Sequence, residues 1–175
     1  MPNILTNQYF NDTKKVFVPN AVSGNTGESE NKHLLSIITE YERKLLLEVL
    51  GKEQYNQLQL ELEKLPFNLQ ASVPAASEYQ RLVNGYEEWQ GIIPMLSFFV
   101  YCHWLEADEI KVGTVGSGKG QKEGYTIADR SAEYASRWND FVEELEALRE
   151  YLDSVEELNL IDEFPYYETI NRFGL

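Results

Sequence analysis

The glycine-rich segment 113–120, with the sequence GTVGSGKG, is the part of the chain whose residue types come closest to a catalytic motif. In a P-loop, backbone amides of such a segment cradle phosphates, the lysine reaches them, and the Ser or Thr that follows binds magnesium. Here Gly120 follows Lys119, and the preceding residues 92–112 have a helical pattern where a P-loop follows a strand. We therefore expect no nucleotide site. Residues 113–124, with five glycines in twelve positions, should form a mobile surface loop or order against a partner subunit.

The remaining nucleophilic and metal-ligating residues do not form a motif. His33 and His103 are far apart in sequence, and Cys102 and His103 point about 100° apart if they are neighbours on a helix. The sequence contains one Glu-x-x-His pair, Glu30 and His33, where a di-iron bundle uses one on each of two helices, and it has no Ser-His-Asp or Cys-His pattern that would indicate a nucleophilic site. We expect a protein that is not an enzyme and binds no cofactor or metal.

Composition and charge narrow the class further. The chain has 175 residues, of which 43% are hydrophobic, enough to bury the core of a single domain. Its formal net charge of −14 repels phosphates, which disfavours a protein that grips nucleic acid over its whole surface. The lone Cys102, among apolar neighbours, is expected to be an inert core thiol. The first twelve residues lack the pattern of a signal peptide, and the apolar run 92–105 is too short for a membrane span, so we expect a cytoplasmic origin.

Apolar residues at three- and four-residue steps predict a mainly α protein, a bundle of about five helices in a single domain, 1–175. Gly51 should end the first predicted helix, 31–50, by adopting the αL conformation. The fourth predicted helix, 92–112, is apolar on nearly every side and should be buried at the centre of the bundle. The main core contact should be between this helix and the last predicted helix, 127–153. Because Trp138 lies on the apolar stripe of that last helix, Trp138→Ala should lower the free energy of unfolding by about 3–5 kcal/mol. The predicted helices are 31–50, 52–65, 76–89, 92–112 and 127–153.

Both ends of the chain are predicted to extend from the helical core 31–153. Residues 1–30 read as an arm, in which Lys15–Val18 could be a strand with no partner in this chain. Such a strand would lie on the helices as a strap or pair with a neighbouring subunit. Residues 154–175 form a docking tail that is rich in aromatic residues. We expect arm, glycine-rich loop and tail to be mobile in the isolated subunit and ordered in an assembly.

Charge divides the second half of the chain into two complementary parts. Residues 111–130 hold four basic and two acidic residues, whereas residues 133–168 hold twelve acidic and two basic residues. Contact within the chain and simple solubility are the plain explanations. The more specific explanation is head-to-tail contact between copies of the chain, which closes a ring when it is repeated around an axis. The residues expected at such a contact are Lys119, Lys122, Tyr166, Tyr167, Arg172, Phe173 and Leu175.

Four motifs, taken in order, match a known family. They are LLEVLGKEQY at 46–55, PMLSFFVYCHWL at 94–105, Tyr134 with Trp138-Asn139, and INRFGL at 170–175. Together they resemble the small head–tail connector (adaptor, or ring) proteins of tailed bacteriophages. The likeness is greatest to versions from crAss-like and related phages of gut Bacteroidales, and it covers roughly residues 30–175.

The resemblance implies a structural virion protein, one subunit of a homo-oligomeric ring, usually a dodecamer, in the neck at the portal vertex. Such a ring joins the portal protein to further neck or tail proteins and extends the DNA exit channel, without a membrane partner. An acidic channel wall would let DNA slide through without specific binding. The family implies no catalytic, cofactor or metal residue here. Two alternatives stay open: an acidic helical regulatory or anti-host protein that binds one cellular protein, and, more weakly, an enzyme that uses the glycine-rich loop.

Overall fold

The computed structural model describes residues 3–12, 16–18, 21, 28–64, 78–85, 89–114, 127–155, 158 and 163–171. Within these ranges the chain is mainly helical, as the sequence predicts. After a short 3-10 helix, Asn7–Phe10, the elements are β1 (Asn11–Asp12), β2 (Val16–Phe17), α1 (Glu28–Lys64), α2 (Glu78–Asn84), α3 (Ile92–Thr114) and α4 (Ile127–Ser154).

Gly51 divides α1 as the sequence predicts, but by a different backbone conformation. Its φ of 72° is positive, as expected of a glycine stop, while its ψ of 168° is extended and not αL. The chain kinks there and continues as a helix to Lys64. The two predicted helices at 31–50 and 52–65 are therefore the two arms of one kinked element, which begins at Glu28.

The helix predicted at 76–89 is shorter in the structure, where α2 ends at Asn84. Gly85 and Gly91 both have positive φ and form a tight connection into α3. A Cβ on Gly85 would lie 2.3 Å from the Trp89 carbonyl oxygen, and one on Gly91 would lie 2.4 Å from that of Val83. Only glycine fits such close backbone approaches, so the turn ends α2 before Trp89.

The core lies where α3 packs against α4, the most extensive contact between two elements of the described chain. Among α3 residues, Ile92, Leu96 and Val100 are fully buried, as an all-apolar helix predicts. α4 contributes the buried side chains of Phe141, Leu145, Leu148 and Leu152. The predicted pairing of these helices is confirmed, although Trp138 and Tyr134 are only half-buried at its edge.

The prediction that the N-terminal strand has no partner in this chain is wrong. β2 pairs antiparallel with β1, with Asn11 opposite Phe17 and Asp12 opposite Val16. The amide of Val18 extends the pairing by donating to the Phe10 carbonyl oxygen at 2.9 Å. The partner strand was missed because Asn11–Asp12 is too short and polar to show an apolar alternation.

The described part of residues 1–30 also belongs to the core of the single chain. Its buried side chains are Ile4, Leu5, Phe10, Val16, Val18 and Ala21. Of the two predicted modes, the strap on the helices is thus the one seen. The arm packs against α1 and α3, which it covers with a short hairpin.

The glycine-rich segment follows a helix and not a strand, as the sequence predicts, since α3 runs to Thr114. Its first two residues, Gly113 and Thr114, belong to that helix, so the break comes slightly later than expected. The rest of the predicted loop lies outside the described residues.

Candidate interaction site

The C-terminal segment 163–171, called the tail segment below, lies on the protein's own helices. Tyr167 is half-buried, and its ring contacts an aromatic cluster with centroids 5.2 Å from Phe141 and 5.7 Å from Trp138. Its hydroxyl donates to Glu48 Oε1 on α1 at 2.9 Å. Burial, the bond to Glu48 and the charge of Glu48 all raise the pKa of Tyr167, so the phenol stays protonated and acts as a donor.

The backbone of the tail segment is held by two neighbouring side chains of α4. Asn139 makes a pair of hydrogen bonds with Ile170: its Nδ2 donates to the Ile170 carbonyl oxygen at 3.0 Å, and the Ile170 amide donates to its Oδ1 at 2.7 Å. The indole Nε1 of Trp138 donates to the Glu168 carbonyl oxygen at 2.9 Å. These bonds satisfy peptide groups that an extended segment cannot pair with itself.

The side chains of the tail segment divide between the two sides of the chain. Tyr167 enters the cluster, whereas Tyr166 is 75% exposed and Ile170 is 36% exposed. Of the predicted contact residues, then, Tyr167 is engaged within the chain and Tyr166 is presented to the outside. Lys119, Lys122, Arg172, Phe173 and Leu175 lie outside the described residues.

Beside the tail segment, α4 presents the predicted acidic face. Glu143, Glu146 and Glu150 are exposed, opposite the buried side chains of the helix. Arg149 lies 3.8 Å from Glu146, a surface pair of small energetic weight. The exposed face therefore keeps its negative charge.

A second polar site, not foreseen from the sequence, anchors the N-terminal arm. Glu42 is only 3% exposed, and its two carboxylate oxygens accept hydrogen bonds from the backbone amides of Ile4 and Leu5, both at 2.8 Å. Burial raises the pKa of Glu42 to about 7, although the two amide bonds act to lower it. A signal was present: Glu42 lies four residues after Ile38 and three before Leu45, on the apolar stripe of its helix.

A third polar cluster joins α3 to α4. Glu106 accepts a hydrogen bond from the Tyr134 hydroxyl at 2.8 Å and lies 2.9 Å from Nδ1 of His103. The imidazole stacks on Tyr41 of α1, with ring centroids 3.9 Å apart. Burial is the main reason that the pKa of His103 is lowered, and the bond to Glu106 opposes it.

The thiol of Cys102, the residue before His103, is not in a reactive environment. Cys102 is fully buried, with its sulfur 4.0 Å from the Tyr134 carbonyl oxygen. Burial raises the pKa of the Cys102 thiol to about 12, and the neutral thiol is a poor nucleophile. This agrees with the inert core thiol predicted from the sequence. The cluster of His103, Glu106 and Tyr134 therefore acts as a polar tie between helices.

Within the described ranges, no group of three or more His, Cys, Asp or Glu side chains is placed to hold a metal ion. The helices of those ranges include none that is long and apolar enough to span a membrane. Comparison of the chain with protein-family models, curated proteins and solved structures gives no match.

Proposed function

We propose that this chain is a structural subunit of a homo-oligomeric ring in the neck of a tailed phage, between the portal and the tail. The observation that carries the proposal is the placement of the tail segment. It lies on the surface of α4, is held by backbone contacts, and leaves Tyr166 exposed beside an acidic helix face. An exposed aromatic residue suits contact with a neighbouring subunit.

The family resemblance supplies the identity of the assembly, and the charge distribution supports it. The negative face of α4 is suited either to a basic segment of the next copy or to a channel wall along which DNA slides. Residues 111–130 carry a net charge of +2 and are the basic segment that the chain itself offers. In this proposal, Lys119 and Lys122 of one copy face α4 of the next.

The test is to count copies of the protein in purified virions and to measure the mass of the purified protein by native mass spectrometry. A ring subunit should be present in multiple copies per virion and should assemble alone or with the portal protein. A protein that stays monomeric, is missing from virions and co-purifies with one host protein would instead be the regulatory or anti-host alternative.

The electrostatic part of the proposal has its own test. The double variant Lys119→Glu/Lys122→Glu should assemble less well than the wild type while its monomer melts at nearly the same temperature, because exposed pairs contribute only about 0–1 kcal/mol each. The matched control is Lys32→Glu/Arg43→Glu, which makes the same change in net charge at two exposed positions of α1 that are not one helical turn from Glu48. Equal incorporation of both variants into virions would mean that the loop does not contribute to the contact.

A further inference from the structure

The contacts of the tail segment have the chemistry of peptide recognition. An extended peptide must have its backbone groups paired and at least one side chain selected by a pocket. Here Asn139 pairs both polar groups of Ile170, Trp138 pairs the carbonyl oxygen of Glu168, and the aromatic cluster takes the Tyr167 ring. We call the receiving surface the tail groove; it is formed by Glu48, Phe99, Trp138, Asn139 and Phe141.

Two side chains of the tail segment, Phe164 and Tyr167, pack against the core, and Glu48 of the tail groove favours a tyrosine at position 167. Glu48 accepts a hydrogen bond from the Tyr167 hydroxyl, so phenylalanine would leave that acceptor without the bond and a phosphorylated tyrosine would bring two negative charges together. The Glu168 and Ile170 contacts are with backbone atoms, which any residue type provides. The groove therefore recognises an extended segment with an unmodified tyrosine three residues before the paired peptide unit.

Every copy of the chain carries this segment, so a tail that fits its own groove also fits the groove of another copy. Leu158, which precedes the tail segment in the chain, is fully buried. Tyr167 lies nine positions after Leu158 in sequence, and an extended chain over nine residue steps spans at most about 30 Å. A neighbour whose groove lies within about 30 Å of Leu158 is therefore within reach.

We propose that the tail groove is a peptide-docking site that takes the tail segment of a second copy of this chain in place of its own, linking the two copies. Such an exchange replaces each contact by an identical one, so it costs no contact and needs only a neighbour held close by. The proposal deepens the proposed function by naming a link between ring subunits. It can also be right for an assembly that is not a phage ring.

The first experiment tests the groove with a peptide. The full-length variant Tyr167→Ala, which weakens its own tail, is titrated with a synthetic peptide of residues 163–171. Binding is followed by the NMR signal of the Trp138 indole N–H, which donates to the tail backbone. We expect saturable binding, unchanged for a peptide with Tyr166→Ala and at least tenfold weaker for one with Tyr167→Ala. If circular dichroism shows the variant folded and the wild-type peptide leaves the Trp138 signal unchanged, the groove is not a docking site.

The second experiment tests the second copy by complementation. Asn139→Ala gives a chain with a weakened groove and an intact tail, whereas Tyr167→Ala gives a chain with an intact groove and a weakened tail. Mixing the two should produce a 1:1 complex in native mass spectrometry that neither variant forms alone. Peptide binding without this complex would mean that the tail is only an internal latch, and the proposal would be wrong. Because neither experiment needs a portal or a virion, this failure is distinct from failure of the ring function.

Discussion

The N-terminal arm and the tail segment are both held by a helix side chain that hydrogen-bonds to their backbone, but one site is buried and the other is exposed. In the arm, the backbone amides of Ile4 and Leu5 donate to the Glu42 carboxylate; in the tail segment, the backbone of Ile170 pairs with the Asn139 amide. In each case a helix side chain supplies the partners that an extended backbone lacks. The arm bonds are buried, however, whereas the tail bonds are exposed to solvent.

The difference assigns different roles to the two ends. Buried apolar residues such as Phe10 and Val18 make the arm part of the core, and removing them from water stabilises the fold. The tail segment leaves Phe164 and Tyr167 half-buried and Tyr166 in solvent, so we expect it to contribute less to the stability of the fold and to open more readily. The expectation that both ends are mobile in the free subunit thus gives way to a sharper one, in which only the tail exchanges.

The largest expected effect is that of Phe10→Ala, which removes a fully buried ring of the arm. Large aromatic truncations in cores cost about 3–5 kcal/mol, and we expect that loss here in a denaturant melt. Phe17→Ala is the matched control, because this nearby ring is 39% exposed and its loss should cost less than about 1 kcal/mol. A loss for Phe10→Ala as small as that expected for Phe17→Ala would place the arm outside the core.

Next in size is the pH dependence caused by Glu42. Its pKa is about 7 in the folded protein against an ordinary value of 4.5, so the folded state binds the proton more tightly. The stability that this provides is fully present below about pH 4.5 and is lost as the pH rises through about 7. Relative to Glu42→Gln, which does not titrate, the wild type should therefore lose on the order of 3 kcal/mol of unfolding free energy between pH 4.5 and 8. Parallel stability curves for the two proteins would show that Glu42 keeps its ordinary pKa.

The third effect is the loss of unfolding free energy in Trp138→Ala, which the structure predicts to be smaller than the sequence does. Its ring is half-buried and contacts Tyr167 of the tail, so part of its packing depends on a segment that can leave. We expect a loss of about 1–3 kcal/mol, below the 3–5 kcal/mol of a fully buried aromatic residue. Phe141→Ala, at a fully buried position of the same helix, is the comparison and should cost more.

The smallest effect on global stability should come from Asn139→Ala. Two exposed hydrogen bonds are lost, which should cost about 1 kcal/mol or less in a denaturant melt. Local opening should nevertheless increase, and hydrogen exchange at the Ile170 amide should speed up while the core amides of α3 are unchanged. Asn139→Asp keeps the acceptor for the Ile170 amide but turns a second acceptor oxygen towards the Ile170 carbonyl oxygen, so exchange at Ile170 should also be faster than in the wild type. An unchanged exchange rate of the Ile170 amide in Asn139→Ala would show that Asn139 does not hold the tail segment in place.

The sequence predicted the helical elements because helical periodicity is a local property. Each signal acts over a few residues: apolar residues on all sides predict the buried helix α3, the apolar stripe predicts α4, and Gly51 predicts the break in α1. The end of α2 was misjudged because Gly85 acts through a close approach to Trp89, a contact that the pattern 76–89 does not encode.

The candidate site could be predicted only in part. The sequence predicts that the tail docks and that Tyr167 makes contacts, but not that Tyr167 packs on the helices of its own chain. The pair formed by Asn139 and Ile170 lies 31 residues apart in sequence, and the bond from Tyr167 to Glu48 spans 119 residues. No periodicity connects residues at such separations, because they meet only when the chain folds back on its helices.

What the sequence determined by itself is thus the helical class, the buried centre at α3, the acidic face of α4 and the inert environment of Cys102. Each follows from residue type and spacing along one element. What only the tertiary structure decided is where the two extended ends lie. Their backbones can be satisfied by any suitable side chain within reach, and the choice of Glu42 for one and Asn139 for the other is made by packing in three dimensions.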